Sequence, residues 1–186
     1  MLKKILLTLF FLFNLIKPLY ASIEDKIINN LLKIDNLTFN FKQTIGEKTE
    51  SGNCTIKYPK KIFCSYNNRN NKIIVSNGKS LVIKNQASNQ YYLYSLKKTP
   101  LELILDKNFL IDQIKNLKGR TVDNKYINFT ILKNNNEINI FFDKETLNLI
   151  GWQTIDIYQN LAITYIYKIQ YNQKIDKNIF KLPDRN

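Results

Sequence analysis

Residues 73–83 read Ile73-Ile74-Val75-Ser76-Asn77-Gly78-Lys79-Ser80-Leu81-Val82-Ile83. Two apolar, β-branched runs flank an Asn-Gly pair, the strongest short-range hairpin signal, because Gly accepts positive φ freely and Asn at small cost. The stretch predicts two antiparallel strands, and period-two alternation continues outward from it. Upstream, Leu37, Phe39 and Phe41 alternate with Thr38, Asn40 and Lys42; a second strand runs to Tyr58 and a third from Ile62 to Tyr66. Downstream, Gln90 to Leu96 is a tyrosine-rich strand, followed later by Tyr126–Leu132, Glu137–Phe142, Leu149–Tyr158 and Leu161–Tyr171. In the last of these, strict alternation places Leu161, Ile163, Tyr165, Tyr167, Ile169 and Tyr171 on one face.

Three segments break this period. Ser22-Ile23-Glu24-Asp25 reads as a capped helix start, and Ile23, Ile27, Leu31 and Ile34 follow at helical spacing beside Ile28 and Leu32. Thr99-Pro100 opens a second helix, with Leu101, Ile104 and Leu105 as its apolar residues. Asn108 caps a third, carrying Phe109, Leu110, Ile111 and Ile114. The expected fold class is therefore mainly β: an antiparallel meander with helices at 22–34, 99–106 and 108–116 as the cover for its apolar face. No repeat or linker divides residues 22–186, so one domain is expected there.

Residues 1–21 stand apart. Lys3 and Lys4 precede an apolar run from Ile5 to Ile16, Pro18 breaks it, and Leu19-Tyr20-Ala21 ends in a small residue. This order predicts a cleaved secretory signal peptide, with an uncleaved anchor as the alternative, and the run is shorter than the roughly twenty residues that span a bilayer. Its removal takes away Lys3, Lys4 and Lys17 and no acid, so the net charge falls from +13 to +10. A basic surface suits nucleic acid or anionic membranes, but Lys, Asn, Ile, Tyr and Phe all have A/T-rich codons, and export removes nucleic acid from the compartment. A nucleic-acid partner is not expected.

Export also places Cys54 and Cys64 where disulfides persist. They flank Tyr58-Pro59-Lys60 at distances that make them face each other if Pro59 lies near the turn's centre. A structural disulfide is the reading, against a redox pair or half a metal site. There is no CxxC, and no histidine to complete a metal site. The missing histidine also removes the commonest general base. No GxSxG, Walker or HExxH pattern is present. No catalytic residue, metal or cofactor is expected, which leaves binding as the main class; an enzyme or inhibitor on a β scaffold is the third reading.

Several pieces carry a family resemblance. Ile74 to Leu81 looks like a "VSDGKTLW" hairpin, and Phe39-Asn40-Phe41-Lys42-Gln43 like an "F-x-F-x-Q" first strand. Gly52 through Tyr58-Pro59 resembles a "G-x-(x)n-R-P" strand and turn. Thr99-Pro100-Leu101 with Ile104-Leu105 resembles "TPxxLL", and Phe180-Lys181-Leu182-Pro183 a closing "F-x-L/P-P". In this order, across most of residues 37–183, they resemble the periplasmic outer-membrane lipoprotein carrier (LolA) family. The resemblance implies an incomplete β-barrel with a helical lid over its apolar concave face. It also implies a periplasmic carrier that takes acylated lipoproteins from an inner-membrane releasing transporter to an outer-membrane acceptor, and a monomer is expected. The alternative is a related module that binds or senses another amphiphile. The membrane-anchored acceptor of the same pathway is disfavoured, since Ser22 stands where its lipobox cysteine would be.

On this reading, alternation nominates Leu37, Phe39, Phe41, Trp152, Ile163, Tyr165 and Tyr167 for the acyl-chain cavity, with ordinary core packing as the alternative for each. Ile27, Leu31, Leu101, Ile104, Leu105, Phe109 and Leu110 are the lid candidates. The family carries an arginine before the proline, associated with lid-closing hydrogen bonds; here that position is Tyr58, the latch candidate. A phenol offers one hydroxyl in place of several donors and a fixed charge. Closure is then looser here, or Lys57 or Lys60 substitutes.

Overall fold

The computed structural model describes residues 21–133, 136–155 and 160–185. The expected signal segment lies, apart from Ala21, outside the described residues, as do the last three residues of the strand expected to end at Tyr158. Eleven strands form one sheet: Asn36–Ile45 (β1), Lys48–Lys57 (β2), Lys61–Tyr66 (β3), Lys72–Asn77 (β4), Ser80–Asn85 (β5), Gln90–Ser95 (β6), Arg120–Val122 (β7), Tyr126–Lys133 (β8), Asn136–Asp143 (β9), Leu149–Ile155 (β10) and Leu161–Tyr171 (β11). Helices are Ile23–Leu32 (α1), Leu101–Leu105 (α2) and Lys107–Asn116 (α3).

The spatial order is β6-β5-β4-β3-β2-β1-β11-β10-β9-β8-β7, antiparallel at every step. Every neighbour but one is a sequence neighbour. The exception, β1 beside β11, joins a six-stranded arm to a five-stranded arm. Strands β6 and β7 end the sheet and do not pair, so the barrel stays open.

The Asn77-Gly78 hairpin forms as expected. Asn77 Oδ1 accepts the Lys79 and Ser80 amides at 3.0 Å each, and Gly78 takes φ +100°. The capping box at Ser22 is also present: Ser22 Oγ accepts the Asp25 amide at 3.0 Å while Asp25 Oδ2 accepts the Ser22 amide. Two other caps differ from expectation. The third helix begins one residue before Asn108, with Asp106 as cap accepting the Phe109 amide. Thr99 does not cap forward; its hydroxyl donates back to the Leu96 carbonyl and closes a 3₁₀ turn at Leu96–Lys98. Strand β7 was not visible in the sequence, since three residues carry no measurable alternation.

The concave face holds the core. Leu37, Phe39 and Phe41 from β1, Ile56 and Ile62 from β2 and β3, and Phe129, Ile131, Ile138, Ile140 and Phe142 from β8 and β9 are all buried there with α1, α2 and α3. Helix α1 is fixed at the β7–β8 end by the Gly119 amide, which donates to Glu24 Oε1 at 3.0 Å. The convex face is half covered. The C-terminal 3₁₀ turn Lys177–Phe180 crosses β3 and β4, burying Phe180 where Val75 and Val82 are buried on the outer side.

Cys54 and Cys64 pair across β2 and β3 in register, and the disulfide forms, with Cα atoms 4.1 Å apart. Closing so short a loop removes unfolded-state freedom. Replacing both by alanine is expected to lower unfolding free energy by about 2–3 kcal/mol in denaturant titration; equal midpoints for the two proteins would show the bridge to be inert.

Candidate functional site

Between the β1–β5 arm and α2 the concave face is not filled. A cavity of about 330 Å³ remains, walled by Phe39, Phe41, Ile62, Trp152 and Ile104, with the Cys54–Cys64 bridge in its floor. Its walls stand apart for local reasons. A Cβ on Gly52 would fall 2.1 Å from the Ser65 carbonyl oxygen and 2.8 Å from the Phe41 ring, so only glycine lets that ring lie across β2. Phe41 then meets Tyr66 edge-on at 4.8 Å, and Phe39 meets Trp152 edge-on at 6.4 Å. Three polar side chains of the wall bond to one another: Gln43 Nε2 donates to Thr164 Oγ1 at 2.9 Å, and Tyr66 Oη donates to Gln43 Oε1 at 3.3 Å. Burial pushes the Tyr66 phenol well above its ordinary range, so it remains a neutral donor. Among the described residues the lining carries one charged side chain, the exposed Lys98, and the rest of the wall is neutral.

Helix α2 closes this space, and one carboxylate holds it. Glu102 is 6% exposed in its side chain; Oε1 lies 3.0 Å from Lys60 Nζ and Oε2 lies 3.6 Å from Lys133 Nζ. Lys60 comes from the β2–β3 turn on one arm, and Lys133 from the end of β8 on the other. Lys60 Nζ also reaches Asp106 Oδ2 at 3.0 Å, and its amide donates to the Leu105 carbonyl at 2.8 Å. Lys60 is presented in a left-handed backbone conformation, φ +67°, with its carbonyl accepting from the buried Ser76 hydroxyl at 3.0 Å. That hydroxyl in turn accepts the Gly78 amide, so the β4–β5 hairpin positions the lysine. Lys133 lies 4.3 Å over the Phe109 ring, and Lys107 donates to the Ile34 carbonyl at 2.7 Å. The helices are thereby tied to each other and to both arms.

A family model described as "Outer membrane lipoprotein carrier protein LolA" matches residues 33–183. The chain belongs to the LolA family. No curated protein matches it in sequence. Among solved structures it is similar to an uncharacterised conserved protein from Thermus thermophilus, with a TM-score of 0.52 and 6% identity over 86% of this chain and 92% of that one. At that identity the likeness concerns the fold alone. A LolA superfamily protein from Nitrosomonas europaea gives a TM-score of 0.47 at 9% identity, covering 87% and 99% of the two chains. Pseudomonas aeruginosa MucB, in its complex with MucA, gives 0.46 at 10% identity, covering 89% of this chain and 62% of that one.

Phe39, Phe41, Trp152, Leu101 and Ile104 line the cavity. Leu37 is buried in the core beyond it, and Ile27, Leu31, Leu105 and Leu110 are buried under the helices, with Phe109 half-buried against them. Ile163, Tyr165 and Tyr167 do not face the cavity. They lie on the convex side, Tyr165 53% exposed and stacked on Tyr167 with ring centres 6.0 Å apart. The register explains the correction. Phe41 faces inward and sits opposite Ile166, while outward Lys42 sits opposite Tyr165, so Ala162, Thr164 and Ile166 are the inward set. A bulge between Thr38 and Asn40, with Lys168 at φ +52°, then inserts one residue into β11. Past it the phase reverses, and Ile169 and Tyr171 pack inward. The six residues that alternation grouped on one face occupy two.

Tyr58 is also corrected. Its ring is half-buried with Lys107 Nζ 5.5 Å from its centre, and burial pushes its phenol up. Its hydroxyl makes no hydrogen bond to the helices among the described residues. The polar contact to α2 is made two residues later by Lys60, which the sequence offered only as a substitute. Glu102 and Lys133 carried no sequence signal: one is an ordinary helix acid, the other an ordinary strand-end lysine.

Asp106 and then Glu102 hold the Lys60 ammonium above the ordinary lysine range by hydrogen bonding. Its contribution is fully present below the unfolded lysine pKa of about 10.4 and is lost as pH rises through the higher folded value. Lys60→Ala removes a charged hydrogen bond of about 1.5–3 kcal/mol. Amide exchange in α2 and α3 is expected to accelerate by about tenfold or more at neutral pH while β1 and β2 stay protected. Strongly alkaline pH should do the same to the unmodified protein. Unchanged α2 protection in Lys60→Ala would show the pair to be decorative.

Proposed function

We propose that this protein is a periplasmic carrier that shields lipoprotein acyl chains in the cavity beneath α2 on their way from an inner-membrane releasing transporter to an outer-membrane acceptor. The observation that carries this reading is an apolar cavity closed by a short helix whose fastening is polar. A solid core needs no such fastening, and a permanent ligand site needs no removable wall. The LolA family membership supports the same class of cargo, and an export segment at residues 1–21 would place the protein where that cargo travels.

The energetics suit transfer rather than storage. Each buried methylene contributes about 0.8 kcal/mol, so even part of one acyl chain outweighs the latch. About 330 Å³ sits at the low end of the roughly 300–1,000 Å³ typical of small-ligand sites. A multiply acylated cargo therefore needs the helices displaced. Loading then breaks the Lys60–Glu102–Lys133 contacts, and their re-formation favours release, which keeps net affinity intermediate. No group on the wall is asked to do chemistry, and the protein acts as a monomer that binds and hands over.

A fluorescent fatty acid should bind and be displaced by an N-acylated peptide. Leu101→Asp, at the cavity rim on a half-buried position, should weaken the probe by roughly tenfold or more by placing a carboxylate against the chain. Native mass spectrometry of the protein taken from its own periplasm should show it carrying acylated protein. A probe that binds Leu101→Asp as tightly as the unmodified chain would remove the cavity from the reading.

A further inference from the structure

Strand β6 reads Gln90-Tyr91-Tyr92-Leu93-Tyr94-Ser95 and forms one open edge of the sheet. Exposed edges invite pairing, and proteins blunt them with lysine, proline, a bulge or extreme shortness. The opposite edge, β7, is three residues long and includes Arg120. Edge β6 has none of these devices. It is six residues long and regular in pairing, and Tyr92, Leu93 and Tyr94 are 46%, 59% and 39% exposed.

Its hydrogen-bonding phase is fixed by the Leu96 amide, which donates to the Lys79 carbonyl at 2.9 Å. Antiparallel pairs alternate between bonded and non-bonded. Leu81–Tyr94 and Ile83–Tyr92 are thus bonded pairs, and Tyr91, Leu93 and Ser95 turn their N–H and C=O groups outward. Among the described residues no strand receives them. The side chains on this edge lead into the cavity: Tyr94 lies opposite Leu81, and both line it.

We propose that β6 is a docking edge for the extended peptide that follows the acylated residue of the cargo, which adds to the sheet as a twelfth strand. This rests on the cavity holding acyl chains. Chains seated there leave the residue that bears them at the mouth, beside Tyr94. The next residues then run along the outward amides of Tyr91, Leu93 and Ser95, at about 3.4 Å per residue. Main-chain pairing reads no sequence, so it suits a carrier of many cargoes, while Tyr92 and Tyr94 offer apolar contact to alternate side chains. Continuity with the cavity distinguishes this occupant from a second copy of the chain, which would cover the edge without using the mouth.

The test compares an N-palmitoyl hexapeptide, the same hexapeptide with alternate amides N-methylated, and a fluorescent fatty acid. Each is titrated against the unmodified protein and Leu93→Pro, whose proline removes an outward donor and no sheet bond. The hexapeptide should bind about tenfold more weakly to Leu93→Pro, and its N-methylated form about tenfold more weakly to the unmodified protein. The fatty acid should bind both proteins alike. Equal hexapeptide affinities alongside normal fatty-acid binding would overturn the edge and leave the cavity standing. Failure of the fatty acid itself would overturn the carrier reading and the edge with it. A non-acylated hexapeptide that binds as well as the acylated one, or a dimer that Leu93→Pro dissolves, would overturn it in favour of another occupant.

Discussion

A single carboxylate with two lysines from opposite arms of an open sheet is the constraint on which the rest depends. Glu102 is nearly excluded from water, and a buried charge is tolerable only where partners meet it. Lys60 supplies one partner from the β2–β3 turn and Lys133 the other from the end of β8. The pairing ties the lid helix to both arms of the half-barrel. Hydrogen bonding between the edges adds no such tie, since β6 and β7 never meet.

The cavity follows from that constraint. Helix α2 has five residues, too few for a helix to persist by itself. It is held by burial of Leu103, Ile104 and Leu105 and by the polar fastening at Glu102 and Asp106. On the β8–β9 side, α1 and α3 supply enough apolar surface to fill the concave face. On the β1–β5 side α2 does not reach the floor, and the gap is lined by rings whose spacing Gly52 fixes from below.

Much of this was legible in the sequence. The hairpin at Asn77-Gly78, the alternating strands, the three helices and the Cys54–Cys64 pairing all follow from local chemistry, because hydrophobic period and turn residues act over a few positions. Two things were not. Alternation sorts residues into faces without saying which face is inward, and in β11 the larger apolar set, Ile163, Tyr165 and Tyr167, is the outer one. A bulge at Lys168 then exchanged the faces, which no period can reveal. The latch was hidden for a different reason. Lys60, Glu102 and Lys133 are far apart in sequence, and each looks like solvated surface until the arms curve around to meet. Tyr58 stands directly before Pro59, yet the polar contact to α2 comes from Lys60, two residues along the same turn.

In the proposed carrier function the demands of holding and releasing fall on different groups: apolar rings would hold the chain, and the buried ion pair would set when the wall moves. The most direct test is the rate at which a fluorescent fatty acid enters the cavity, measured by stopped flow for the unmodified chain and for Glu102→Gln, which keeps the side chain's shape and removes its charge. If the lid is latched at Glu102, entry should accelerate by about tenfold, as expected for weakening the closed state by ~1.4 kcal/mol. Equal entry rates for the two proteins would mean that Glu102 does not control access, and the account of a latched lid would be wrong.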